Sequence, residues 1–105
     1  MSENINLVES EKILEKKLSE EVQRVLRGRA IKFSSQTDVG YPDRLCIVGD
    51  HCFWVEVKTT GERPTPMQEF RHKELRRLGQ RVYVVDSTAS LNEVIEKERR
   101  YGSVK

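Results

Sequence analysis

The stretch from residue 43 to residue 58 constrains the fold of this chain more than any other part of it. Two runs of β-forming residues, 44–48 and 52–57, lie on either side of Gly49-Asp50. A glycine in the first position of a two-residue turn is typical of a type II′ hairpin. Apolar residues fall on both faces of these strands, so we expect the hairpin to be covered on both sides, as in a central sheet.

Helical patterns precede and follow the hairpin. Apolar residues at helical spacing predict a first helix that has Ser10 as its N-cap and ends at Gly28. Thr65-Pro66-Met67-Gln68 opens a second helix with a capping box and with proline at the first helical position, and Gly79 ends it. A last short helix is predicted at about 90–99.

Two further strands are predicted, at 30–34 and at 81–86. The order of elements is then α-β-β-β-α-β-α. We therefore predict an α/β fold class with a mixed central sheet flanked by helices, in which the last β-α-β unit forms a right-handed crossover.

Length and composition predict a single domain over residues 1–105, with a loose segment at residues 1–9. The chain is 36% hydrophobic and 34% charged, and it has no apolar run long enough for a membrane span. We therefore expect a cytoplasmic protein. Cys46 and Cys52 lie in strand-like stretches and are interpreted as buried thiols rather than as a disulfide or half of a zinc site.

Two carboxylates face each other in the predicted hairpin. If Gly49-Asp50 forms the turn, Val48 pairs with His51, and the same register continued along the strands places Asp43 opposite Glu56. Their Cβ atoms would be about 5 Å apart, and like charges in that position destabilise a sheet. A cation between the carboxylates would remove the penalty.

Lys58 lies two residues beyond Glu56, on the same face of the strand. Carboxylate oxygens bind Mg²⁺ or Mn²⁺, and such a metal promotes phosphodiester hydrolysis by polarising the phosphoryl group and activating water. The lysine could orient or deprotonate that water, or stabilise the charge on phosphate. The alternative is a surface cluster in which Lys58 only neutralises Asp43 and Glu56.

The first helix offers a further acidic ligand. At about 100° per residue, Glu11 lies close to the mean direction of the apolar stripe, whereas Glu15 lies about 50° away from it. A glutamate on the inward face is costly unless it meets a cation. Glu11 is therefore the preferred metal ligand, and a fraying first turn is the alternative.

Gln68 has two interpretations, as the last residue of the capping box or as an active-site residue that reaches the metal-bound water or a phosphate. The sequence does not decide between them. His51 and His72 do not stand at ligand spacing with each other or with the acidic residues, and we interpret both as ordinary surface histidines.

Basic residues crowd into one short stretch that includes Arg71, Arg76 and Arg77. Together with Arg44, which follows Asp43, these three arginines are candidate contacts to nucleic acid. A solvated helix face explains the same run equally well. The net charge of +2 is too small to decide the matter.

Three motifs carry a family resemblance: Gly40-Tyr41-Pro42-Asp43-Arg44-Leu45, then Glu56-Val57-Lys58, then Pro66-x-Gln68. In this combination and spacing they resemble the virus-type replication–repair nuclease (VRR-NUC) family of the PD-(D/E)xK superfamily. The similarity extends over nearly the whole chain. It implies a restriction-endonuclease-like core, metal binding by Asp43 and Glu56, a catalytic Lys58, and active-site roles for Glu11 and Gln68.

The resemblance also implies a homodimer that acts on branched DNA, including four-way (Holliday) junctions, in a phage or its bacterial host. The expected function is thus that of a Mg²⁺- or Mn²⁺-dependent DNA endonuclease. The competing hypothesis is a non-catalytic DNA-binding module that uses the basic second helix. A protein-interaction module has no feature in its favour.

Overall fold

The computed structural model describes residues 7–104. Helix α1 spans Glu11–Leu26, and the Ser10 side chain caps it by accepting a hydrogen bond from the Ile13 backbone N–H at 3.2 Å. Its buried residues recur at intervals of four: Leu14, Leu18, Val22 and Leu26. This stripe is the one that the sequence predicted.

Four strands form one sheet in the order β1-β2-β3-β4. Their bounds are Arg29–Lys32 for β1, Arg44–Val48 for β2, His51–Val57 for β3 and Val82–Val85 for β4. Strand β2 is antiparallel to both of its neighbours, β1 and β3, whereas β3 pairs with β4 in parallel.

Two further helices complete the fold. Helix α2 spans Pro66–Arg77 and connects β3 to β4, and helix α3 spans Thr88–Val104. The order of elements is α-β-β-β-α-β-α, and the predicted α/β fold class with a mixed, helix-flanked sheet is confirmed. No helix of residues 7–104 is both long and apolar enough to cross a membrane.

The predicted hairpin register is also confirmed. Val48 pairs with His51, and the ladder continues to the pair Arg44 and Val55. Gly49 has a φ of 62°, whereas Asp50, the second turn residue, is not among the described residues with a positive φ. A positive φ at the first turn position alone is the signature of a type II′ turn.

The core lies between one face of the sheet and helices α1 and α3. Alternate residues of β3, namely Phe53, Val55 and Val57, are fully buried there. Glu56 therefore points to the opposite face, where it meets α2. On that face Ile31 of β1 and Ile47 of β2 are 40% and 41% exposed. The expectation that the hairpin is covered on both sides is therefore wrong for the part of β2 that carries Ile47.

The two cysteines lie in adjacent cross-strand rows. Cys46 pairs with Phe53 and Cys52 pairs with Ile47, so the two thiols point to opposite faces. Both are free, with Cys46 buried and Cys52 half-buried. Burial raises the pKa of the Cys46 thiol to about 12. The interpretation as unpaired thiols holds, although Cys52 is less buried than expected.

Several predicted boundaries differ from those observed, including those of β1 and β4. Arg27, rather than Gly28, adopts the left-handed conformation after α1, with a φ of 59°. Helix α3 is longer than the predicted 90–99. Glu9 is 7% exposed rather than loose: its carboxylate accepts hydrogen bonds from Lys17 and from Thr88, the first residue of α3. The loose segment was predicted from the polarity of its residues, and polarity does not reveal a tertiary contact such as this one. Residues 1–6 of that segment lie outside the described residues.

Gly28 is needed for close approach instead. A Cβ at this position would lie 2.3 Å from the backbone oxygen of Ile47 in β2. We therefore expect Gly28→Ala to lower the free energy of unfolding by more than about 1 kcal/mol. Gly102→Ala, in α3 with no atom within 4 Å of the added methyl, should be neutral or slightly stabilising. Urea unfolding of both variants tests this, and an equal effect would contradict it.

Candidate active site

Asp43 is fixed immediately before strand β2. Its Oδ1 atom accepts a hydrogen bond from the Val57 backbone N–H at 3.2 Å, and its backbone oxygen accepts one from Phe33 at 2.9 Å. Asp43 is thus held between the end of β1 and the end of β3. The hairpin register predicted this position next to β3.

The environment of Asp43 opposes its negative charge. Burial, and after it the neighbouring charge of Glu56, raise the pKa of this carboxyl to about 6. The hydrogen bond from Val57 has a smaller, opposing effect. A carboxylate that is both buried and close to another carboxylate is stabilised by a cation. The like-charge penalty inferred from the sequence is therefore present.

Helix α1 brings two more carboxylates to the same place. One carboxylate oxygen each from Glu11, Glu15 and Asp43 lies within 4.8 Å of the others, and all three residues are half-buried. Glu15 also forms an ion pair of 3.0 Å with Arg44. Glu11 and Glu15 are one helical turn apart and share a helix face. The structure therefore brings both glutamates to Asp43, although the helical phase favoured Glu11 alone.

Glu56 lies outside that group of three and is directed towards α2. It is 3% exposed. Its Oε2 atom accepts a hydrogen bond of 3.2 Å from Gln68 Nε2, and its Oε1 atom lies 3.5 Å from His72 Nε2. Among the described residues Oε1 has no hydrogen-bond partner.

Gln68 forms the capping box and also contacts Glu56. Its Oε1 atom accepts a hydrogen bond from the Thr65 backbone N–H at 2.8 Å, which completes the capping box. Its Nε2 atom donates to Glu56 at the same time. The two ends of one amide therefore bind different groups, so capping the helix does not prevent Gln68 from reaching Glu56, and its role in the active site stays a prediction.

His72 is not a surface histidine. It is 2% exposed and faces Glu56. The sequence did contain a signal for this position, because His72 follows Gln68 by four residues and so lies on the same helix face. His51, by contrast, lies at the hairpin turn beside Asp50 and Tyr101, away from the acidic residues of the candidate site. Its side chain is only 12% exposed, so His51 too is less exposed than predicted.

Lys58 follows β3, two residues after Glu56. Its backbone N–H donates to the Val85 oxygen at 2.9 Å, which fixes the main chain. Its side chain is half-buried, and its ammonium group forms no hydrogen bond or ion pair with residues 7–104. This ammonium is thus available to a ligand of the site.

The predicted DNA-contacting arginines lie in different environments. Arg44 is 9% exposed and paired with Glu15, so its guanidinium belongs to the acidic site rather than to the surface. Arg71 binds the Val39 backbone oxygen and Glu74 and covers the ring of Tyr41. Arg76 donates to the Val82 oxygen but is exposed, and Arg77 is exposed.

Arg81, from the same basic stretch, binds a buried carboxylate inside the fold. It forms two hydrogen bonds of 2.6 and 2.8 Å with Glu98, which is 2% exposed. The Tyr83 hydroxyl donates to the same carboxylate at 2.6 Å. These contacts raise the pKa of Arg81 above its usual range. The buried Glu98 thus has the partners that a buried charge requires.

The described side chains fit a hard divalent cation. Three carboxylates converge, one of them with a raised pKa, and the buried Glu56 beside them has an unpartnered oxygen atom. Oxygen donors of this kind suit Mg²⁺ or Mn²⁺. Lys58, two residues beyond Glu56 in the chain, adds a half-buried ammonium that no described residue binds.

The raised pKa of Asp43 predicts a pH-dependent stability difference. Because the folded-state pKa of about 6 exceeds the ordinary value of 3.8, the folded protein holds this proton more tightly than the unfolded chain. The resulting stability is complete below about pH 4 and is lost as the pH rises through 6, by up to about 3 kcal/mol.

Asp43→Asn should remove this loss and keep the hydrogen bond to Val57. In EDTA, its advantage in free energy of unfolding over the wild type should therefore be larger at pH 8 than at pH 4. Urea unfolding at both pH values measures the difference. An advantage that does not change with pH would show that the Asp43 carboxyl is not destabilised by its surroundings.

This chain is similar to known proteins in both sequence and structure. The scan of protein-family models gives no match. "Putative nuclease p44" of Acyrthosiphon pisum secondary endosymbiont phage 1 is 43% identical over 75 residues, which span 70% of this chain and 80% of the phage protein. A solved "VRR_NUC domain" superposes with a TM-score of 0.72 at 30% identity, covering 84% of this chain and 97% of that domain. With the motifs and the fold described above, these relatives show that the chain belongs to the VRR-NUC family of nucleases.

Proposed function

We propose that this chain is a Mg²⁺- or Mn²⁺-dependent endonuclease that cuts branched DNA, such as four-way junctions, as a homodimer. The observation that carries the proposal is the convergence of Glu11, Glu15 and Asp43 within 4.8 Å of one another, beside the buried carboxylate of Glu56. Like charges converge in this way only at a cost, and a bound cation offsets that cost.

Asp43 and Glu56 would hold the metal, with Glu11 or Glu15 completing the acidic set from α1. When bound, the metal supplies polarisation of the phosphoryl oxygen and a lower pKa for a coordinated water. Glu15 pairs with Arg44 at 3.0 Å, whereas Glu11 has no cationic partner among the described residues. Glu11 is therefore the better ligand of the two.

Lys58 acts directly on the reacting groups in this proposal. Its unpaired ammonium can hold the attacking water by a hydrogen bond or stabilise the negative charge that develops on the phosphate oxygens. Gln68 holds Glu56 through Nε2 and is itself held by the cap at Thr65. The start of α2 and the end of β3 thereby keep a constant distance.

DNA would approach from the side of α2 that carries exposed basic residues. Arg76, Arg77 and Lys73 are exposed there, and contacts of this type to phosphates position a nucleic acid without reading its sequence. Arg71, on the same helix and bound to the Val39 backbone oxygen, would contribute as well. The relative "Putative nuclease p44" is a phage protein, and we infer that this chain likewise acts inside a bacterial cell.

Dimer formation would use the open face of the sheet. Ile31 and Ile47 are 40% and 41% exposed on adjacent strands, and Leu45 lies between them on the same face. A cleft of about 300 Å³ bounded by Leu45, Ile47 and Cys52 extends this apolar surface. Cutting both strands of a junction symmetrically requires two sites related by a two-fold axis.

Cleavage of labelled DNA tests the catalytic proposal. With Mn²⁺, the wild type should cut four-way junctions faster than linear duplex of the same sequence. Asp43→Ala and Lys58→Ala should each reduce the rate about 100-fold or more, because they remove a ligand and a charge-stabilising group. Lys97→Ala, on the exposed surface of α3, is the matched control and should cut normally.

The competing DNA-binding module gives a different outcome in the same assay. It predicts salt-sensitive binding that is lost in an Arg76→Ala/Arg77→Ala variant, with no hydrolysis of any substrate by the wild type. Metal-dependent cleavage that survives Asp43→Ala unchanged would contradict the proposed site, and absence of cleavage would contradict the proposed function.

Light scattering tests the dimer. The wild type should have twice the mass of one chain, and Ile31→Lys/Ile47→Lys should have the mass of one chain, because two charges then occupy the apolar contact. Ile13→Lys changes an isoleucine on α1 that is 50% exposed and should remain dimeric. A monomeric wild type at assay concentration would rule out the dimer.

A further inference from the structure

His72 and Glu56 are two buried polar residues whose side chains face each other. His72 is 2% exposed and Glu56 is 3% exposed, and His72 Nε2 lies 3.5 Å from Glu56 Oε1. Neither of these two atoms has a hydrogen-bond partner among the described residues. A buried polar atom without a partner is unfavourable, so each atom is the partner that the other lacks.

The remaining oxygen of Glu56 is already bound from the same helix. Gln68 Nε2 donates to Oε2 at 3.2 Å, and Gln68 and His72 are four residues apart, on one face of α2. The capping box holds Gln68 in turn through the Thr65 backbone. The two side chains therefore reach the two oxygen atoms of one carboxylate from a single rigid element.

We propose that His72 is a positioning residue that holds the Glu56 carboxylate in the orientation needed to bind the divalent metal. Its Nε2–H donates to Oε1 once the gap of 3.5 Å closes, as second-sphere donors do for ligating carboxylates. This inference rests on the proposed metal-dependent function. It assigns His72 no contact with the metal or with DNA.

The direction of the hydrogen bond follows from the chemistry of the two groups. A carboxylate that binds a metal is ionised and only accepts hydrogen bonds. His72 Nε2 must therefore carry the hydrogen, because two acceptors at this distance would repel each other. The second lone pair of each carboxylate oxygen stays free for the metal.

Packing alone does not require a histidine at this position. A cleft of about 240 Å³ lined by Glu69, Lys73, Arg76 and Val84 borders the ring, so a side chain of similar size could be accommodated. Leucine would fill the space without donating a hydrogen bond. Glutamine would place an amide N–H close to the position of the imidazole Nε2–H.

Mn²⁺ binding to the DNA-free protein, followed by calorimetry, tests the inference. His72→Leu should bind Mn²⁺ about 10- to 100-fold more weakly than the wild type, and His72→Gln should remain within about 3-fold of it. His51→Leu replaces the histidine at the hairpin turn, which faces Tyr101, and should bind as the wild type does. His72→Met replaces His72→Leu if the latter does not fold.

Cleavage gives a second readout that a merely structural role would not produce. Raising the Mn²⁺ concentration should restore most of the rate of His72→Leu, because the defect lies in metal affinity. The same increase should not restore Lys58→Ala. The KM for DNA should be unchanged in His72→Leu.

Two results overturn the inference while leaving the proposed function intact. One is Mn²⁺ binding by His72→Leu that equals that of the wild type. The other is equal weakening in His72→Leu and His72→Gln, which would indicate shape rather than hydrogen bonding. If the wild type and Glu56→Gln bind Mn²⁺ equally, or if neither binds it, the metal site itself is wrong and the proposed function fails with the inference.

Discussion

The mutual repulsion of Asp43 and Glu56 is the interaction on which the geometry of the site depends. The hairpin register brings the end of β3 beside Asp43, and the Val57 N–H fixes the Asp43 carboxylate there. Burial and the charge of Glu56 then raise the pKa of Asp43 to about 6. The fold holds this unfavourable arrangement because both residues lie at the ends of strands that the core of α1 and α3 immobilises. A divalent cation is the ligand that relieves it.

The helices supply the rest of the site from separate directions. Helix α1 contributes Glu11 and Glu15 beside Asp43, whereas α2 contributes Gln68 and His72 to Glu56. In both helices the two residues are spaced by four, so one turn brings two side chains to one target. The Thr65 capping box fixes where α2 begins, and it thereby also fixes the distance at which Gln68 meets Glu56.

Positive charge is divided between the fold and the surface. Arg44 pairs with the half-buried Glu15, and Arg81 pairs with the buried Glu98, so both guanidinium groups offset the charge of carboxylates removed at least partly from water. Lys58, Arg76 and Arg77 are not used in this way against any acidic residue of the described chain. The nearly neutral net charge of +2 therefore does not reveal that Arg76 and Arg77 leave positive charge exposed on the outer face of α2.

The sequence by itself determined the order of elements and the hairpin register that brings Asp43 beside the end of β3, because turn chemistry and strand periodicity are local rules. It also contained the capping box of Gln68. Tertiary structure alone decided that His72 is buried against Glu56, that Arg44 is paired with Glu15, and that Ile31 and Ile47 stay exposed. These facts depend on which face of the sheet each helix covers, and the periodicity of a single segment does not specify its neighbour.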